Sequence, residues 1–163
     1  MSPILHGAVA VSMAIAAATG GSAVAAEQSV TPLAANDCEA IAGKIGEAAK
    51  IPVTTKTGRP DFLTSIRGNA CLISGTATGL KAKFLDDVQK RLDATLADWT
   101  YIPDFDADGP DSTVKGFSKG SQRLVYALET RPPNGTCGDA PIGDCKVPRQ
   151  RWTWSLKVAA FVQ

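Results

Sequence analysis

The C-terminal stretch Gln150–Gln163 (QRWTWSLKVAAFVQ) decides how this chain folds. Trp152, Trp154, Leu156, Val158, Ala160 and Val162 alternate with Arg151, Thr153, Ser155, Lys157, Ala159 and Phe161. An unbroken period of two predicts a long β-strand with one apolar face and one largely polar face. Each tryptophan can remove roughly 150–250 Å² from water, so the apolar face demands a covering layer. The strand itself needs neighbours on both edges.

Both requirements are met upstream. Leu80–Trp99 carries Leu80, Phe84, Leu85, Val88, Leu92, Leu96 and Trp99 on one helical stripe, with Asp86–Lys90 and Asp87–Arg91 spaced to pair on the outside. It is the expected cover for the tryptophans. A first helix begins at Asn36, where Glu39 three residues later completes a capping box, and Pro52 stops it. Its inner face carries Cys38, Ile41, Ile45, Ala48 and Ala49.

Asn69–Thr78 reads as an interior strand, apolar on both faces from Ala70 to Ile73. Thr113–Phe117 and Gln122–Thr130 flank a tight turn and read as a hairpin. Val53–Pro60 fits either a short strand or a loop, Trp99–Ile102 starts another strand, and Pro103–Ser112 reads as an acidic, turn-rich loop. The expected architecture is an α+β two-layer sandwich, with two helices on one face of a mainly antiparallel sheet of four to five strands.

Residues 1–26 contain no Asp, Glu, Lys or Arg, and Ala8–Ala18 has the length and hydropathy of a signal-peptide core, too short for a membrane span. Small residues at Ala23–Ala26 suit cleavage, although the stretch before the core lacks Lys and Arg. The expected organisation is a signal peptide over 1–26, a flexible leader over 27–35 and one domain over 36–163, exported to the periplasm or beyond. No transmembrane segment is expected after cleavage. Four cysteines in an exported chain normally pair. Of the three connectivities we favour Cys38–Cys71 and Cys137–Cys145, worth about 3.7 and about 2.6 kcal/mol in the chain-entropy description.

Seventeen basic against sixteen acidic side chains give a net charge of +1, which argues against nucleic acid as a partner. His6, the only histidine, lies in the expected signal peptide. With no other histidine and no free thiol expected, nucleophilic triads and most zinc or copper sites are excluded. Enzymatic function is therefore not the expectation.

Asp104, Asp106 and Asp108 before Gly109 open like a calcium loop, yet the twelfth position is Lys115 rather than an acid. A solvated acidic turn is the simpler reading. Calcium is the only cofactor the sequence suggests. On the polar face of the last strand, Arg151, Thr153, Lys157 and Phe161, joined by Lys115, Phe117 and Arg123 from the hairpin, form the expected binding surface. Pro141 and Ile142, at the tip of the small disulfide loop, are a second contact. The leading expectation is a binding module of the bacterial cell envelope that engages a protein or another envelope component, with inhibition of an extracytoplasmic enzyme as its concrete form. A carboxylate-based hydrolase with an optional calcium site, and a structural envelope protein without a ligand, are the alternatives.

Overall fold

The computed structural model describes residues 28–82, 84–138 and 141–163; the expected signal peptide lies outside them. In chain order the elements are β1 (Gln28–Pro32), α1 (Ala35–Ala49), β2 (Thr54–Gly58), β3 (Ile66–Gly68), β4 (Ala70–Thr78), α2 (Leu85–Thr95), β5 (Thr100–Asp108), β6 (Ser112–Lys119), β7 (Gln122–Arg131) and β8 (Thr153–Val162). Two short 3₁₀ turns, Ile142–Asp144 and Arg149–Arg151, lie between β7 and β8.

The sheet has eight strands rather than four or five, in the order β2-β4-β8-β7-β6-β5, with β1 and β3 attached off this path. β8 is its centre. It pairs antiparallel with β7 over its whole length and with β4 from Thr153 to Ala160. β1 then takes over the same side, pairing Thr31 with Val162 and Pro32 with Phe161. Among the extra strands, β1 arises from the stretch read as leader, and β3 from a stretch given no element. Gln28–Pro32, within the stretch expected as a leader, form a strand, and Gln28–Val30 also pair in parallel with Ile66–Gly68.

Both helices cover the tryptophan face. Trp154, Leu156, Val158 and Ala160 of β8 share one core with Ile45 of α1, Val88 and Leu92 of α2, and Leu124, Tyr126 and Leu128 of β7. Arg91 of α2 donates to the Ala48 carbonyl at 2.7 Å, locking the helices together. Each is shorter or starts elsewhere than its periodicity implies. α1 begins after Ala34 with no side-chain cap, so Asn36 and Asp37 lie inside the first turn. It ends at Ala49, before Pro52, because Lys50 adopts a left-handed conformation (φ 60°). α2 starts only after Phe84, whose N–H is accepted by the Asp87 carboxylate at 3.2 Å. Leu80 and Ala82 are buried nonetheless, as a non-helical approach to the core.

The opposite face of the sheet is not uniformly wet. At one end Val125, Ala159, Phe161 and Ala70 are covered by Val30, Leu63 and Ile66 in a second, smaller core. Gly68 makes this cover possible: at φ 117°, a Cβ there would sit 2.3 Å from the Val30 carbonyl oxygen. β5 also extends beyond its expected end at Ile102. Its pairing with β6 shifts register between Ile102 and Ala107, and Phe105 lies over Gly116, where a Cβ would come within 2.5 Å of the ring. The favoured disulfides are both formed, Cys38–Cys71 and Cys137–Cys145, with Cα atoms 5.9 and 5.1 Å apart.

Candidate binding cleft

The largest disagreement with the sequence reading concerns the expected binding surface. Strand register divides its residues between two faces. Lys115 and Phe117 pair across the strands with Tyr126 and Leu124, whose side chains belong to the helix-side core, so they point toward α2. Phe117 is buried and stacks on Tyr126 with ring centroids 5.9 Å apart. Phe161 lies on the other face, wholly buried beneath the β1 cover. Neither phenylalanine is available to a partner. Alternation along the last strand placed Phe161 correctly by parity, but nothing local announced that β1 folds over it.

Lys115 is one member of a polar seam between α2 and the sheet. Its ammonium lies 3.1 Å from one Asp93 carboxylate oxygen, while the buried Tyr126 hydroxyl donates to the other at 2.6 Å. Burial first, then the hydrogen bond to Asp93 and the nearby carboxylates, raise the Tyr126 pKa far above its ordinary value. Tyr101 donates to Asp106, and Thr113 donates to Asp108 at 2.6 Å. Asp104, Asp106 and Asp108 are therefore strung along β5 instead of converging in a turn. Among the described residues no group of three acidic, histidine or cysteine side chains is placed to hold a metal ion. Within this seam Asp93, Asp106 and Asp108 each accept a hydrogen bond.

The remaining expected residues are scattered. Arg123 donates to the carbonyls of Gly120 and Gln122, bracing its own turn. Arg151 and Thr153 are exposed at the entry to β8. Pro141 is exposed and Ile142 half-buried in the disulfide loop, where Ile142 lines a wide, shallow recess of about 460 Å³ with Asp111, Arg131 and Asn134; Lys157 lies in a separate cleft.

That cleft lies on the face opposite the helices, beside β2, β4 and β8. Lys56, Arg59, Asp61, Phe62, Leu72, Ser74 and Lys157 line a cavity of about 190 Å³. The register explains how distant residues meet: Lys56 stands opposite Leu72, Ser74 opposite Lys157, and Leu72 opposite Ala159. Leu72 supplies an apolar wall and Phe62 packs against the small core behind it. Lys157 donates to Asp61 at 2.8 Å. That bond, reinforced by the charges of Lys157 and Lys56, holds the Asp61 carboxyl below its ordinary pKa against a smaller effect of burial. Lys56 and Arg59 have no ion-pair partner among the described residues. Three cations against one carboxylate leave the cleft with two positive charges in excess.

Sequence reasoning missed Lys56, Arg59, Asp61, Phe62, Leu72 and Ser74. The signal within reach was two unmatched cations at Lys56 and Arg59 in a Thr-rich run ending at Pro60, although only pairing of β2 with β4 aligns them with Lys157. A serine–lysine hydrolytic pair needs a free amine as base, whereas the Lys157 ammonium opposite Ser74 is engaged by Asp61. All four cysteines are consumed in disulfides, so no thiol nucleophile exists.

No protein-family model, curated protein or solved structure matches this chain. Two disulfides point to an oxidising, extracytoplasmic compartment. Among the described residues no helix is long and apolar enough to cross a membrane.

Proposed function

We propose that this chain is a small exported, disulfide-stapled binding module that holds the anionic part of a cell-envelope partner in the cleft of Lys56, Arg59 and Lys157. The observation that carries the reading is the pair of unneutralised cations, Lys56 and Arg59, beside an apolar wall on a sheet face that the helices leave open. Cations that serve only solubility are spread over a surface and paired with acids. Here they converge on a concavity that also offers a serine hydroxyl. The two disulfides fix the surrounding scaffold, so binding loses little conformational entropy.

The direct test uses a small dicarboxylate, glutarate, titrated into the isotope-labelled chain. We expect roughly millimolar affinity, with amide shifts confined to Lys56, Arg59, Ser74 and Lys157, and weakening as salt screens the charges. Reversing Lys56 and Arg59 to glutamate abolishes these shifts. Shifts that survive the double reversal, or none at all in the original chain, would overturn the reading.

A further inference from the structure

The cleft does not stand alone: it adjoins a free sheet edge. β2 ends the strand order, and no described strand pairs with its outer side. Every second residue of a strand turns its N–H and C=O away from its neighbour, so this edge offers unused main-chain donors and acceptors. Its sequence, TTKTG, has no proline and no acid, and its first four residues are exposed. Threonine favours the extended backbone that a pairing template needs.

Each face of this edge has its own recess. On the sheet side opposite the helices lies the cationic cleft of Lys56, Arg59 and Lys157. On the helix side a notch of about 120 Å³ is lined by Leu33, Ala35, Cys38, Glu39, Thr55, Lys56 and Thr57. A chain paired to β2 would send alternate side chains into these two recesses. The cations select an acid on one side. On the other, Glu39 offsets the charge of Lys56, and Leu33, Ala35 and Cys38 offer an apolar surface to an aliphatic group.

We propose that β2 takes up an extended, acidic segment of a partner polypeptide as an added antiparallel strand. One glutamate or aspartate enters the cleft, and the small apolar residues flanking it enter the notch. The proposal rests on the anionic-cleft reading above and adds the class of partner. A second copy of the chain is a poor occupant. Two-fold antiparallel pairing of β2 with itself about its central residue sets one Lys56 directly against another, and like charges there are destabilising.

The test uses the whole chain and three synthetic acetylated pentapeptides: Thr-Val-Glu-Val-Thr, the same peptide with lysine at the centre, and the glutamate peptide N-methylated at the amides that face the chain. The glutamate peptide should bind at least about tenfold better than the lysine peptide, with amide shifts along Thr54–Gly58 and new exchange protection there. N-methylation should weaken it about 10- to 100-fold, because it removes main-chain donors and keeps the charge. The Lys56→Glu chain should exchange the two preferences. Lys56 is exposed, so an unchanged thermal unfolding curve verifies that this variant is folded.

Equal binding of the methylated and unmethylated peptides would overturn strand addition while leaving the anionic cleft intact. So would binding of glutarate, or of vesicles carrying anionic lipid, without binding of the peptide. Dimerisation of the chain through β2 would also overturn it. If neither glutarate nor the peptide binds, both readings fail.

Discussion

The two ends of the main strand order, β2 and β5, are built to opposite rules. β5 carries Pro103, which cannot donate to a ladder, three carboxylates at Asp104, Asp106 and Asp108, and a register shift between Ile102 and Ala107. Each is a recognised way to blunt an edge. The polar seam of Tyr101, Asp106, Lys115, Asp93 and Tyr126 then ties that corner to α2. β2 has none of these devices: regular pairing to β4, no proline, no acid and one lysine. The same chain closes one edge and leaves the other available, and the available edge is the one bordered by the cationic cleft. That coincidence, more than the charge alone, makes β2 the place to look for a partner.

The strongest perturbation of this contrast is removal of Cys38–Cys71, which staples α1 to β4 beside β2. Replacing both residues with alanine should cost about 3.7 kcal/mol in urea unfolding. Hydrogen exchange should accelerate along β2 while β5 remains protected. Removing Cys137–Cys145 should cost about 2.6 kcal/mol and leave β2 exchange unchanged. Equal loosening of β2 in both cases would mean that the staple does not define this edge.

The second effect acts on the closed side. Tyr126→Phe deletes the bond to Asp93 and should cost roughly 1.5–3 kcal/mol near neutral pH, as expected of a hydrogen bond to a charged acceptor. Its pKa is raised in the folded state, so the contribution is complete below the unfolded value near 10 and is lost as pH rises beyond it. The native chain should therefore lose stability in alkali, with the Tyr126 phenolate appearing only on unfolding. The phenylalanine variant should show a flatter alkaline limb in the same melts.

A smaller, qualitative effect comes from opening β5. Pro103→Thr with Asp104→Thr should produce concentration-dependent self-association in sedimentation, with little change in monomer stability. An unchanged monomer would assign the blunting to the register shift alone.

The smallest effect lies in the cleft. The Asp61 side chain is 74% exposed, so Asp61→Asn should change stability by less than about 0.5 kcal/mol. Its folded pKa is depressed, so what little it adds is present above 3.8 and is lost as pH falls through the lower folded value. The variant should instead bind glutarate a few-fold more tightly, since the cleft gains a net positive charge.

Much of this architecture is legible locally. The period of two in Trp152–Val162 gives β8, its buried tryptophan face and its central role. The stripe through Val88 and Leu92 gives α2 and what it covers. The spacing of Cys38, Cys71, Cys137 and Cys145 gives both disulfides. Boundaries are less legible. Phe84 starts α2 because the Asp87 carboxylate meets its N–H, although the apolar stripe runs back to Leu80. Pro103 and four nearby acids look like a turn, whereas pairing to β6 extends Pro103, Asp104, Asp106 and Asp108 as strand and leaves only Asp111 in the turn.

The site was the least legible part. Lys157 was identifiable from its face of β8, but Lys115 on the hairpin belongs to the opposite side, and Phe161 disappears beneath β1. Parity within a strand follows from its own sequence. Parity between strands depends on register, which is fixed only when they pair.

The sequence by itself determined the elements that bury their own apolar pattern: the central strand, the covering helices and the cysteine pairs. Only the tertiary structure decided which strands flank β8, which face each hairpin side chain takes, and which edge remains open. Hydrophobic period is a local property, so each segment declares it alone. A cleft assembled from Lys56, Arg59, Asp61, Ser74 and Lys157 exists only once β2, β4 and β8 lie side by side.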